Sequence, residues 1–389
     1  MTTTTTLPNL AGVQGENPLK GLLAYGQSPW LDYIRRNILL NGDLKKMIDN
    51  DGLRGMTSNP AIFEKAITAG DDYNDIIKAP DAKSSTAMEL YEKIAIRDVQ
   101  DAADIFSAVH TETKGRDGYV SLEVSPNLAF DTQATIDEAR RLWKTVGRPN
   151  VMIKIPATPQ GVPAIRQALE EGININITLL FAQSAYEQVA EAYLSALEAR
   201  AAKGQDISHI ASVASFFVSR IDSLVDSTID AMQKNETDSG KKALLESLRG
   251  KVAIANARRT YARYQELIGG ARWKSLAAKK AQTQRLLWAS TSTKNPKYRD
   301  VLYVEELIGA DTVDTIPPAT FDAFRNHGKL RKSLTENVAG ANKTMSDLEA
   351  AGISMKQVTD KLITDAVKLF QDPFRQLLDT ITKHAEVRA

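Results

Sequence analysis

Cysteine is absent from all 389 residues, which excludes disulfides, thiolate catalysis and thiolate metal sites. Histidine is scarce. The four present, His110, His209, His327 and His384, lie far apart with no metal-ligand spacing, so no metal site is expected. A surplus of either charge is also missing. Basic residues number 49 and acidic residues 48, leaving a net charge of +1 that points to neither nucleic acid nor a membrane as partner. No apolar run approaches bilayer-spanning length and no basic-then-apolar leader opens the chain, so a cytoplasmic protein is expected. No G-x-G-x-x-G or G-x-x-x-x-G-K-[ST] loop follows a candidate strand, so nucleotide binding has no support.

What is present alternates. Candidate strands lie at Pro29–Ile34, Arg54–Asn59, Tyr119–Ser125, Val151–Ala157, Ile173–Phe181, Ile210–Val218, Arg285–Ser290 and Thr312–Ile316. Helical patterns separate most of them. The clearest places Met88, Tyr91, Ala95, Val99, Ala102, Phe106 and Val109 on one face, behind a capping box at Thr86 and Glu89. Others run over Thr132–Val146, Gly161–Glu171 and Gln183–Ala202. Alternating strands and helices imply a parallel sheet, and eight strands predict closure into a (β/α)8 TIM barrel. Residues 1–389 read as one domain with a flexible tail over 1–15. Two regions exceed a minimal barrel. Between strands six and seven, the Ala-rich segment from Gln233 to Gln284 predicts two helices; the tail after Lys329 predicts one or two more. Val358, Leu362, Ile363, Val367 and Phe370 form an apolar stripe in that tail, expected to pack on the barrel, with a lid over its mouth as the alternative.

One strand holds a lysine. In Val151-Met-Ile-Lys-Ile-Pro-Ala157, Met152, Lys154 and Pro156 share one face, opposite Val151, Ile153 and Ile155. Burial disfavours an ammonium, so an interior lysine tends towards a neutral, nucleophilic amine that can form a Schiff base. The commoner use of an isolated strand lysine is to protect a sheet edge from aggregation.

Other strands carry polar residues with the same period of two. Asn174, Asn176 and Thr178 share a face, as do Ser121, Glu123 and Ser125, and also Thr57 and Asn59. Asp32 opposes Leu31 and Tyr33; Ser215 lies between Ala214 and Phe216. The apolar faces must meet the helices, so the polar ones must look into the barrel. Burying each unpaired costs roughly 1–3 kcal/mol, so a whole set implies mutual bonds or a ligand. Two carboxylates, an amine and several hydroxyls and amides thus share one cavity, towards the strand ends where barrel active sites lie.

The segments Gly55-Met-Thr-Ser-Asn-Pro-Ala-Ile-Phe63, Val151-Met-Ile-Lys-Ile-Pro-Ala-Thr-Pro-Gln-Gly-Val162 and Gly172-Ile-Asn-Ile-Asn-Ile-Thr-Leu-Leu-Phe181 resemble the transaldolase motifs. The resemblance runs from about Asp32 to Pro317 and is closest to the longer bacterial or plant-like branch. It implies a cofactor-free transfer of a dihydroxyacetone unit from sedoheptulose 7-phosphate or fructose 6-phosphate to glyceraldehyde 3-phosphate or erythrose 4-phosphate. Lys154 would form the Schiff base and Asp32 would take the C4 hydroxyl proton. Glu123 and Thr178 would hold a proton-shuttling water. Asn59, Asn176 and Ser215 would grip the sugar hydroxyls, with Thr57 in support. Arg220, in Ser-Phe-Phe-Val-Ser-Arg, matches the phosphate arginine.

The family reads Ala-Ser-Phe-Arg where this chain has Ala289-Ser-Thr-Ser-Thr-Lys294. Ser290 carries over; Lys294 is either the substitute phosphate cation or a solvated loop lysine. Two other readings stay open. One is an aldolase that releases free dihydroxyacetone from fructose 6-phosphate, where Phe217 stands in place of an expected tyrosine. The other is a catalytically silent sugar-phosphate binder. A homodimer is the oligomeric state held open.

Overall fold

In the computed structural model, eight parallel strands close into a barrel in chain order. They are β1 (Gln27–Asp32), β2 (Gly55–Thr57), β3 (Tyr119–Glu123), β4 (Val151–Pro156), β5 (Ile175–Leu180), β6 (Ser212–Phe217), β7 (Arg285–Ala289) and β8 (Thr312–Ile316). The structure describes residues 17–68, 71–79, 82 and 84–386; the expected tail over 1–15 lies outside them. Every candidate strand exists, β8 with the expected bounds and the others with shifted ends. β1 starts earlier because Gln27 and Ser28 pair with Thr312 and Val313 of β8, which closes the barrel. β2 is short because Asn59 leaves the sheet, its Oδ1 accepting the Ile62 N–H at 3.0 Å to open a helix at Pro60–Thr68.

Packing sets the barrel floor. Trp30 is fully buried, and a Cβ at position 55 would meet its indole at 2.5 Å, so that strand position requires glycine. Beside it, the buried Arg285 guanidinium donates to Ser28 Oγ and Asp117 Oδ1, both at 2.9 Å. The Trp30 indole N–H also points at Asp117 Oδ1, 3.4 Å away, so this end of the barrel is tied together by its own side chains.

The helix at Ala87–Glu112 opens with the expected Thr86–Glu89 capping box. The insertion after β6 contains three helices rather than two: Ser239–Leu248, Val252–Gly269 and Ala271–Ala277. Gly250, at φ +67°, turns the chain between the first pair, and an extended Gly270 separates the last. The tail forms two helices, Val338–Ala350 and Met355–Glu386. The second packs on the helices at Pro60–Thr68, Ala87–Glu112 and Ser219–Gln233 and reaches the end of β5. Its apolar stripe is buried in the same core as the barrel, as packing on the barrel requires, and Phe370 within it reaches the barrel mouth near Lys154.

Asp314 in β8 faces the helical layer, fully buried, and among the described residues only the Thr291 Oγ1 side chain donates to it, at 3.1 Å. Burial pushes its carboxyl up to about 8. A folded value above the unfolded one means stability is fully present below about 4 and is lost as pH rises through 8. Asp314→Asn is therefore expected to be more stable than the parent at pH 8 by roughly 1–3 kcal/mol, with the gain shrinking towards pH 5. Thermal unfolding across that range checks this; parallel curves for the two proteins would refute it.

Candidate active site

Strand register assembles the site. Glu123 pairs with Lys154, Lys154 with Asn176, Pro156 with Thr178, and Asp32 with Thr57. Residues in register on parallel strands point to one side, so the period-two polar set converges at the C-terminal end of the barrel. Lys154 is 5% exposed and Glu123 7%. Lys154 Nζ lies 3.2 Å from Glu123 Oε2 and donates to the Ser58 carbonyl at 3.1 Å. It points into the barrel, which removes the sheet-edge explanation.

Burial raises the pKa of Glu123, and the Lys154 charge opposes that rise. Asp32 behaves alike: burial raises it, against the Lys154 charge, a hydrogen bond from Thr57 and the Lys294 charge. Thr57 Oγ1 donates to Asp32 Oδ1 at 2.8 Å and lies 2.7 Å from Thr315 Oγ1. Two carboxyls thus flank one amine, each held closer to neutrality than in water, as proton transfer requires.

Asn176 is fixed by two serines. It donates to Ser121 Oγ at 2.9 Å and accepts from Ser215 Oγ at 2.6 Å, which spends one of its two amide hydrogens. Thr178 Oγ1 is buried and has no hydrogen-bond partner among the described residues. Such a group is what a bound water or substrate oxygen satisfies. Directly after it, Leu179 adopts φ +62° and the β5–β6 pairing slips, so the strand alternation stops at the site.

A cationic corner lies above. Arg220 is the second residue of the helix Ser219–Gln233; its Nε is buried without a partner among the described residues, and burial pushes its pKa down. Ser290, at φ +56°, places its Oγ 3.0 Å from Ser219 Oγ. Lys294 Nζ donates to Ser292 Oγ at 2.6 Å. Lys294 as a whole is exposed, as a solvated loop lysine would be, yet partial desolvation of its amine lowers its pKa, the nearby Arg220 charge adds to this, and Asp32 opposes it. The Phe217 ring sits 5.3 Å from that of Phe181, walling the space with carbon.

Not every polar strand residue joins the site. Asn174 serves the floor, donating to the Pro149 carbonyl at 3.0 Å and accepting from Ala211 N–H at 2.9 Å. Ser125 caps a short helical turn. Asn59 spends its carbonyl on helix capping, which leaves its NH2 for a ligand. Asp43, a weaker rival to Asp32 in the sequence, is bound to Lys46 at 3.0 Å on the surface.

Residues 29–381 match the family described as Transaldolase/Fructose-6-phosphate aldolase. The chain belongs to this transaldolase family. It is 50% identical over 358 residues to a protein of Trichodesmium erythraeum named Transaldolase, covering 92% of this chain and 94% of that one. A Transaldolase 2 of Nostoc sp. strain PCC 7120 is 46% identical, with 94% and 97% covered. A Transaldolase of Frankia alni is 43% identical with the same coverage. The transaldolase-like motif around Lys154 includes Gly161 for a steric reason: a Cβ there would lie 2.0 Å from the Pro156 carbonyl oxygen.

Four residues near this transaldolase-family site are not among the site residues expected from the sequence, although Ser58 lies inside a quoted motif and Phe370 in the apolar stripe of the tail. Ser58 offers only its backbone carbonyl. Thr315 passes as an ordinary strand threonine. Lys65 acts on Lys294 electrostatically from the helix after β2. Phe370 reaches in from the C-terminal helix, its ring centroid 5.8 Å from Lys154 Nζ.

Proposed function

We propose that the chain moves a dihydroxyacetone unit from a ketose phosphate to an aldose phosphate through an imine on Lys154, as a transaldolase of the non-oxidative pentose phosphate pathway. The observation that carries this is the buried Lys154 amine, 3.2 Å from Glu123 and facing Asp32 across the barrel. Lys154 Nζ adds to the C2 carbonyl of fructose 6-phosphate or sedoheptulose 7-phosphate. Glu123, through a water held by Thr178, carries two protons in turn from the nitrogen to the C2 oxygen, which leaves as water, while one proton stays on the iminium nitrogen. Asp32 then removes the C4 hydroxyl proton. The C3–C4 bond breaks, its electrons pass into the iminium, and an aldose phosphate departs. The enamine attacks the aldehyde of a second aldose phosphate, Asp32 gives back the proton, and hydrolysis frees the ketose and the amine.

Asn176, Ser215 and the NH2 of Asn59 hold the hydroxyls of the three-carbon unit, and Thr57 orients Asp32. Arg220, Ser290 and Lys294 take the phosphate. Mixing fructose 6-phosphate with erythrose 4-phosphate is expected to give sedoheptulose 7-phosphate; its absence with folded protein would sink this reading. Arg220→Ala is expected to raise KM for phosphorylated sugars by about 10- to 100-fold, the loss of a charge-assisted pair, and to change use of free dihydroxyacetone little. Equal effects on both substrates would remove Arg220 from the phosphate role.

Release of free dihydroxyacetone as the main reaction is disfavoured by Phe217, whose ring has no hydroxyl to activate water. A silent binder gains nothing from a buried amine beside two acids. A cytoplasmic location and a homodimer complete the proposal; both rest on composition and size, and sedimentation tests the second.

A further inference from the structure

We propose that Phe370 determines specificity: its ring roofs the Lys154 nitrogen and keeps water off the enamine, so the three-carbon unit waits for an aldehyde instead of leaving as dihydroxyacetone. This rests on Lys154 being the imine residue. Phe370 belongs to the helix Met355–Glu386, outside the barrel, yet it is 7% exposed while its neighbour Leu369 is 47% exposed. The flanking Val367 and Phe374 are buried too, so the helix face is anchored with the ring turned downward. The ring centroid lies 5.8 Å from Nζ. The substrate C2 bonds to that nitrogen at about 1.3 Å, so the reacting carbons sit in the space beneath the ring.

The chemistry makes this position matter. An enamine is lost to water in two steps. First C3 takes a proton from a donor and the electrons return to form the iminium. Then water adds to C2, its spare proton goes to a carboxylate, and the C–N bond breaks with a proton passing to Nζ, which frees dihydroxyacetone and the amine. Both steps need donors or water near C2 and C3. A phenyl ring offers neither and gives water no hydrogen bond. Its negative face also favours the cationic nitrogen that forms in each half of the cycle. Beside the roof, Pro373 lacks the N–H that the Leu369 carbonyl would accept, which weakens the helix there.

The test uses the full chain and compares two rates: glyceraldehyde 3-phosphate and free dihydroxyacetone from fructose 6-phosphate alone, and sedoheptulose 7-phosphate when erythrose 4-phosphate is added. Phe370→Ala is expected to raise the ratio of release to transfer about tenfold or more by admitting water. Phe370→Leu, which keeps an apolar cover, is expected to give a smaller rise. An unchanged ratio in Phe370→Ala overturns the proposal, whatever happens to total activity, since a purely structural role lowers both rates together. If Phe370→Ala fails to fold, Phe370→Leu decides: a rise of about threefold supports the role and no rise overturns it. Borohydride trapping on the parent protein separates the two ideas. No adduct on Lys154 defeats the imine assignment; an adduct with an unchanged ratio defeats only the role of Phe370.

Discussion

Lys154→Ala is expected to lose ketose turnover by about four orders of magnitude or more, the scale seen when a covalent nucleophile is removed from a constellation that acts as a unit. Borohydride reduction in the presence of fructose 6-phosphate should attach a dihydroxyacetone-derived mass to the peptide carrying Lys154 in the parent and to none in the variant. The structure explains why no other group can take over. Nζ is held by the Ser58 carbonyl and Glu123, at 3.1 and 3.2 Å, directly beneath the Phe370 ring. The substitution also strands Glu123 without its ion-pair partner, at a cost of about 3–5 kcal/mol for a buried pair broken from one side. Activity must therefore be compared with circular dichroism on the same preparation. A folded variant that keeps turnover, or an adduct on another lysine, would move the chemistry elsewhere.

The barrel is legible in the sequence because its signal is repeated. Most strands put apolar residues on the helix-facing side, with Asp314 of β8 an exception, and parallel order follows from helices between strands. Strand ends are less legible because they depend on neighbours: β1 begins where β8 offers pairing partners, and β2 stops where Asn59 finds a helix to cap. The same period of two brings Asp32, Glu123, Lys154, Asn176 and Thr178 to one place, since alternation fixes the face and register fixes the height. It cannot separate Asn174, two residues earlier, which has the same face but serves the floor. Phe370 is hidden for a different reason. A helical stripe reveals that a face is buried, not what buries it, and a tail distant in the chain can land anywhere on the barrel. Lys294 is intermediate: the changed motif leaves its register ambiguous, and in the structure it is an exposed loop lysine bonded to Ser292 that feels the charges of Arg220 and Asp32.

Asp32→Asn is expected to separate the two halves of catalysis, keeping imine formation while cleavage falls by about 10²- to 10⁴-fold, the usual contribution of a positioned base. The amide preserves the shape of the carboxyl and can still accept from Thr57, so the site stays assembled. It cannot accept the C4 hydroxyl proton. Borohydride should therefore trap the intact six-carbon ketose on Lys154 instead of the three-carbon unit, a mass difference that reports directly which bond has survived. The pH profile gives an independent reading. Burial raises the pKa of Asp32, so activity should fall as pH drops through a value above the ordinary carboxylate range, where the base becomes protonated. The Thr57 hydrogen bond works in the opposite direction, since it favours the ionised form. Thr57→Val removes that bond and should move the acidic limb of kcat to higher pH. A limb that stays in place, or full cleavage by Asp32→Asn, would show that the proton goes to another group.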